Sequence, residues 1–217
     1  KAWSSDILYD FAKIAQNRGM RIRGLVRKES VSKVYLRLGE PSVGFAYHIG
    51  DLFSKSTIAE MVRKTDVFYH LGAMVGRDFS QEETAMILAV NGFGTALVVR
   101  VLKDSGRDVR LVYGSSQRCY NIQDRNDVIA FIQEAYDVFN REMVGFDTLS
   151  DDECRGKILD ITTKLLPKSP KGVNIYDISK LLGEKFARDI KNVAISLISN
   201  VYGPDYIGER LVPRLMV

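Results

Sequence analysis

Residues 110–116 read RLVYGSS, a β-favouring run that ends in a glycine and two hydroxyl residues. Arg110 to Tyr113 is read as a strand, and the order of elements follows from working outward from it. Ahead of it, Glu82 to Asp104 carries helical spacing with an interruption at Gly92-Phe93-Gly94-Thr95, and Val67 to Leu71 (VFYHL) reads as a buried strand. Further upstream lie a helix from Lys55 to Lys64, the β-rich runs Val43 to Ile49 and Met20 to Val26, and a first helix. That helix is marked by Ile7, Leu8, Phe11, Ile14 and Ala15, with Ser4 or Ser5 as cap and Gly19 as stop. Downstream, Tyr176 to Ile190 reads as a helix and Val193 to Ile198 as a strand. Strands alternating with helices imply right-handed βαβ units, so the fold class is α/β with a doubly wound parallel sheet. Ligands of such sheets bind beyond the carboxyl ends of the strands, where Gly114, Ser115 and Ser116 stand.

The stretch 121–172 breaks this rhythm. It is polar and helix-prone without a strand signal, and reads as a helical insertion before Tyr176. Its Asp151-Asp152-Glu153 cluster reads as a solvated helix start rather than a metal site. The 217 residues, 46% of them hydrophobic, suffice for one α/β domain over 1–217. A net charge of +4 with scattered Lys and Arg argues against a nucleic-acid partner and suits anionic small molecules. Cys119 and Cys154 form neither a metal-ligand spacing nor a disulfide framework, and His48 and His70 are too far apart for a zinc site, so no metal is expected. No apolar run reaches membrane-spanning length and no signal-like start is visible, which reads as a cytoplasmic protein with no membrane contact.

Tyr176 and Lys180 lie four apart at the start of a helix, which puts both side chains on one face. An ammonium beside a phenol stabilises the phenolate and makes Tyr a usable acid or base. A Tyr and a Lys at this spacing also occur by chance on many helices. Ser116, at a strand's carboxyl end, can hydrogen-bond a substrate oxygen opposite the Tyr. Asn91, in the helix expected beneath these groups, can brace the backbone and a proton-relay water.

Taken in order, these stretches resemble the extended short-chain dehydrogenase/reductases, the family of nucleotide-sugar epimerases, dehydratases and ketoreductases. The matches are Gly50-Asp51-Leu52, VFYHLGA over 67–73, Asn91-Gly-Phe-Gly-Thr95, Ser115-Ser116-Gln-Arg-Cys-Tyr120, Tyr176 to Lys180, and Ser199-Asn200-Val201-Tyr202-Gly203-Pro204. The resemblance implies a Rossmann-like sheet, with 199–217 beginning a substrate-binding region. Tyr176 is implied as acid/base, with Ser116 polarising the reacting oxygen and Lys180 binding the cofactor ribose. Asp51 and Leu52 would touch the adenine, and Leu71, Gly72 and Ala73 would lie along the cofactor. Asn200 would meet a substrate diphosphate, and Arg210 and Leu211 would lie at a nucleotide base. Gln117 and Arg118 stand where dehydratases carry Asp-Glu, which disfavours dehydration and leaves ketoreductase or epimerase. A homodimer is implied, pairing the helices Glu82 to Asp104 and Tyr176 to Ile190 of two copies. The apolar Ile87, Leu88, Leu97 and Val98 exceed what one sheet face needs.

The chain departs from that pattern in two places. The family opens on a strand and a glycine-rich loop that bring backbone N–H groups to a pyrophosphate, whereas only Lys1 to Ser5 precede the first helix here. Either the sequence begins after that loop or the protein lacks it. The former is favoured, because a parallel sheet without its central first strand leaves a gap in the core. The chain also ends roughly where extended members continue into a substrate domain, so N-terminal strand and C-terminal domain are expected outside it. The second departure is the insertion itself, which makes the step from Ser116 to Tyr176 far longer than usual. Cofactor choice rests on Gly24-Leu25-Val26-Arg27-Lys28: no acidic residue stands there to hold a ribose, and Arg27 helped by Lys28 favours NADP(H), with NAD possible. Arg27 and Lys28 could also merely solvate a loop. The competing functional class is a cofactor-sensing binding protein of the same fold, which the presence of Tyr176 and Lys180 disfavours.

Overall fold

The computed structural model describes Ile14 and residues 17–32, 45–75 and 80–198. Five strands follow in the expected order: β1 (Ile22–Val26), β2 (Phe45–Ile49), β3 (Val67–His70), β4 (Arg110–Ser116) and β5 (Val193–Ile198). Every pairing is parallel, β1 with β2, β3 with β4, and β4 with β5. Parallel neighbours need long crossovers, and the helices supply them: α1 (Lys55–Val62), α2 (Gln81–Ile87) running on into α3 (Gly94–Asp104), and α6 (Ile175–Ala187). Most of the first helix read from the sequence, and all of 199–217, fall outside the described residues.

Two differences from the sequence reading have physical reasons. The strands form two sheets, β1-β2 and β3-β4-β5, instead of one. Among the described residues no strand joins β1 to β3, the position at which a doubly wound sheet carries its central first strand. The other difference is that β4 runs three residues beyond Tyr113. Pairing with β5 continues to Ser116 opposite Ile198, which holds both serines in extended backbone at the strand's carboxyl end.

The interruption read at Gly92 to Thr95 is a widened π-turn, Leu88–Phe93, inside one continuous helix. Its start is fixed by a capping box in which Ser80 Oγ accepts from Glu83 N at 3.2 Å and Ser80 N donates to Glu83 at 2.9 Å. By length and composition Glu82–Asp104 could cross a membrane, but most of its apolar window is buried in the chain, as in a core helix.

The insertion forms α4 (Asn126–Glu142) and α5 (Asp151–Leu165). Asp151, Asp152 and Glu153 occupy the first turn of α5, capped by Ser150, so the acidic cluster is the helix start that its sequence suggested. The buried stripe Val128, Phe131, Ala135 and Phe139 turns α4 onto α6, and Ile158, Ile161 and Leu165 turn α5 inward. Both helices join the main core cluster. The insertion also grips α1: Lys55 Nζ donates to the carbonyls of Phe146 (3.0 Å), Asp147 (3.1 Å) and Leu149, and Asp151 accepts from Ser56 N (2.9 Å) and Oγ (2.6 Å). Ile87, Leu88, Leu97 and Val98, counted above toward a dimer, are wholly buried within one chain.

Where α6 meets the π-turn, a glycine sets the distance. A Cβ on Gly183 would stand 2.2 Å from Tyr113 Oη and 3.0 Å from the Asn91 carbonyl oxygen. Gly183→Ala is therefore expected to cost about 1–3 kcal/mol by overpacking, read from urea denaturation. Because the closest atom is the Tyr113 hydroxyl, adding Tyr113→Phe should recover part of that loss.

Candidate active site

Ser116 is buried at the end of β4, where its Oγ accepts from Arg118 N at 3.3 Å and starts the turn Gln117–Asn121. Opposite it, α6 opens on Asn174, whose side chain caps Tyr176 N at 2.8 Å, and this stations Tyr176 in the first turn. The Tyr176 side chain is half-buried, with Ser116 among the groups that act on its hydroxyl. Arg118 closes the other side: its Nε lies 2.9 Å from Asp177 Oδ1, its Nη2 donates to Oδ2 at 3.1 Å, and its guanidinium lies 5.7 Å from the Tyr176 ring centre. One charge-assisted hydrogen bond and a close ion pair thus join the guanidinium to the carboxylate, and Asp177 Oδ1 is buried without a hydrogen bond of its own. Gln117 is exposed on the same turn.

Lys180 takes a different place from the one its spacing suggested. Its ammonium is buried and faces the Tyr113 ring at 4.6 Å from the centre, with Cys119 and Glu184 as its electrostatic neighbours. The cation beside Tyr176 is Arg118. Tyr176 accordingly does not have the lowered pKa anticipated for it. Burial raises it and Cys119 raises it further, which outweighs the opposing pull of Arg118 and Ser116. Burial in turn lowers Lys180 to about 8, against the opposing effects of Cys119 and Glu184.

Asn91 sits in the π-turn, a helix distortion common at functional sites. Its side chain is buried and braces the backbone as read: Oδ1 accepts from Met74 N at 2.8 Å, and Nδ2 donates to Met74 O at 3.0 Å and Ser179 Oγ at 3.2 Å. Ser179 Oγ donates to Tyr176 O at 2.7 Å, so the loop after β3 and the first turn of α6 share one anchor. That loop carries Leu71, Gly72 and Ala73, with Leu52 packed over Gly72 and Gly94. Asp51 is tied into its own turn, accepting from Phe53 N at 2.8 Å, and is ion-paired with Arg155 of α5. Arg27 pairs with Glu29 at 3.1 Å, both exposed, and Lys28 starts the short turn that follows. Asn200, Arg210 and Leu211 lie outside the described residues.

Several groups escaped the sequence reading. Glu184 is buried one turn beyond Lys180 and accepts from Ser115 Oγ. Its spacing of four from Lys180 was the available signal. Cys119, read above only as forming no metal-ligand or disulfide spacing, lies 3.8 Å from Ser115 Oγ and 3.7 Å from the Asp177 carbonyl oxygen, with burial holding its thiol up at about 11. His70 is buried with its Nε2 2.8 Å from Thr95 Oγ1, whose hydroxyl donates to Asn91 O at 2.6 Å. Nothing in the sequence pointed to Arg155.

Ser116 thus ends a strand of a parallel sheet with Tyr176 in the helix opposite, and the NAD dependent epimerase/dehydratase family model matches residues 11–138, a stretch that includes Ser116. The chain belongs to that family. No curated protein matches the chain. Among solved structures, that of gox2253 matches at 18% identity with a TM-score of 0.51, covering 87% of this chain and 47% of that one. A dTDP-4-dehydrorhamnose reductase from Bacillus anthracis, in complex with NADP, matches at 18% identity and TM-score 0.48, covering 91% and 59%. A short-chain dehydrogenase/reductase superfamily protein from Agrobacterium tumefaciens, with bound NAD, matches at 19% identity and TM-score 0.42, covering 80% and 48%. The chain spans about half the length of these structures.

Two titrations test this electrostatic arrangement. Lys180, followed by NMR of its labelled ε-carbon, is expected to titrate near 8. Glu184→Gln removes a negative neighbour and should move that titration lower, whereas an unchanged value would detach Glu184 from Lys180. His70, lowered from 6.5 to about 3 by burial and then by Lys180, binds its proton more readily when unfolded. Stability should therefore fall as pH drops from about 6.5 toward 3, by up to about 1.4 kcal/mol per pH unit. Urea midpoints measured between pH 7 and 4 should fall less steeply in His70→Gln.

Proposed function

We propose that this chain is the cofactor-binding and catalytic part of an NAD(P)-dependent oxidoreductase that reduces or epimerises at a carbonyl or carbinol carbon of a sugar-nucleotide-like substrate. The observation that carries the reading is the meeting of Ser116 and Tyr176 at the carboxyl end of β4, flanked by the Arg118–Asp177 clamp.

The residues present fit a dinucleotide. Lys180 is buried with its ammonium over the Tyr113 ring, on the helix that also carries Tyr176. An ammonium so placed would suit an incoming ribose hydroxyl. Gly72 is exposed on a loop whose backbone is pinned through Met74 to Asn91, which leaves a small-residue surface held in place. When bound, the nicotinamide supplies or accepts the hydride. Leu52, Leu71, Gly72 and Ala73 would lie along the cofactor and Lys180 at its ribose. Asp51 would reach the adenine from a turn that Arg155 shares, and Arg27 with Lys28 would receive a 2′-phosphate, favouring NADP(H). The Arg27–Glu29 pair is exposed and costs little to rearrange, so it is no obstacle.

Ser116 would donate to the reacting oxygen and Tyr176 would move the proton. A Tyr whose pKa lies above that of free phenol holds its proton at neutral pH. It is therefore set to donate to a carbonyl oxygen as hydride reaches the carbon. Asn200, Arg210 and Leu211 would hold the nucleotide part of the substrate, with Gln117 and Arg118 nearer the sugar.

Tyr176→Phe keeps the ring and removes the acidic hydroxyl. In the full-length protein it is expected to lower turnover of a 4-ketosugar nucleotide with NADPH by roughly 10²-fold or more, while cofactor affinity measured by fluorescence titration stays nearly unchanged. Normal turnover in that variant would remove Tyr176 from the mechanism.

A further inference from the structure

The insertion differs from a surface loop in what it covers. Phe139 of α4 stacks on Phe93 of the π-turn, with centroids 5.7 Å apart and planes 9° apart, and meets Phe186 of α6 edge-on at 5.1 Å. Tyr136 adds a tilted contact with Phe186 at 5.0 Å, and its hydroxyl donates to Asp189 just beyond α6 at 2.9 Å. Phe93, Phe139 and Phe186 are each 2% exposed or less, and Leu97 is fully buried. At the other end Arg100 of α3 lies over the Phe146 ring at 5.7 Å. The faces of α6 and the π-turn that point away from β4 therefore meet apolar side chains of α4 and α5, where a surface layer would meet water.

Without α4 and α5, Phe93, Leu97 and Phe186 would form one contiguous apolar patch on adjacent helices, the kind of surface that monomers rarely leave open. Two routes can cover such a patch: a second copy about a two-fold axis, or a segment of the same chain. The second route has the larger effective concentration, because the segment is tethered at both ends. Its ends are also held: Arg125 donates to Lys171 O at 3.3 Å, closing the base of the insertion, and Lys55 and Asp51 grip its far turn and α5.

We infer that the insertion is a built-in partner: α4 and α5 occupy in cis an apolar face of the π-turn and α6 on which a second copy would otherwise pack, so the chain does not self-associate through that face. The dimer implied by resemblance is replaced by an intramolecular helix layer.

The test is hydrogen exchange on the full-length protein combined with sedimentation velocity over a hundredfold range of concentration. The expected result is slow, concentration-independent exchange in α3, α4 and α6, with either a single monomeric species or a dimer whose protected amides lie elsewhere. A concentration-dependent dimer in which α3 and α6 gain protection while α4 and α5 lose it would overturn the inference. Phe139→Asp supplies a second reading by placing a charge in the aromatic cluster. It should raise exchange in α6 and promote self-association or dye binding at that face. A folded variant with neither change would equally sink the idea.

Discussion

Asn91 is buried away from water, so each of its side-chain polar atoms must find a protein partner or carry the cost of going without. The partners it finds belong to two different parts of the chain, the loop after β3 and the hydroxyl of Ser179 in α6. Because Ser179 in turn holds Tyr176 O, the position of Tyr176 relative to the cofactor loop reduces to three short bonds on one amide. The π-turn is what offers Asn91 to that loop, and the closeness of α6 is what lets Nδ2 reach Ser179. Gly92 and Gly183 permit that approach: a Cβ on Gly92 would come within 2.8 Å of Leu182, and one on Gly183 would strike Tyr113. Removing the amide would leave two backbone groups and a hydroxyl to be satisfied separately, so the site would loosen before the core did.

The same closeness sets the charges. Lys180 lies deep enough in this packing for burial to dominate its titration, and Tyr176 is half-covered with Cys119 and Asp177 facing it. Spacing of four predicts that two side chains share a helix face, and they do. It says nothing about whether one side chain turns into the protein while the other stays at the rim. Lys180 turns in over the Tyr113 ring, whereas Arg118 reaches Tyr176 from a turn on another element. Among the described residues, the cation that acts on the Tyr176 hydroxyl is Arg118.

What was legible in the chain is what local periodicity and turn chemistry encode. The strands Val67–His70 and Val193–Ile198, the long helix read from Glu82, the acidic helix start at Asp151 to Glu153, and Asn91's brace all follow from residues close in sequence or from a motif. The split into two sheets was anticipated only as a gap in a core, since pairing partners belong to the whole sheet. Ser115's bond to Glu184 and the Asp51–Arg155 pair join residues far apart, with no periodic signal to connect them. The insertion shows the limit most plainly. Its helices were foreseen from composition, but where they dock depends on a face made by the π-turn and α6 together.

The docking itself can be ranked by magnitude. The ion pairs of the insertion involve partly exposed groups, and Arg155, Asp51, Lys168 and Glu134 all keep access to water. Pairs of that kind contribute about 0–1 kcal/mol each and weaken with salt. Phe131, Phe139, Ile158, Ile161 and Leu165 are almost fully buried, and such side chains contribute roughly 1.5–3 kcal/mol apiece. The apolar face therefore holds the insertion down, and the polar contacts choose its register along α1. The ordering matters for the site because Arg155 reaches Asp51 only in that register. A change that slid α5 by one turn would keep most of the buried area, yet withdraw the guanidinium from the turn after β2.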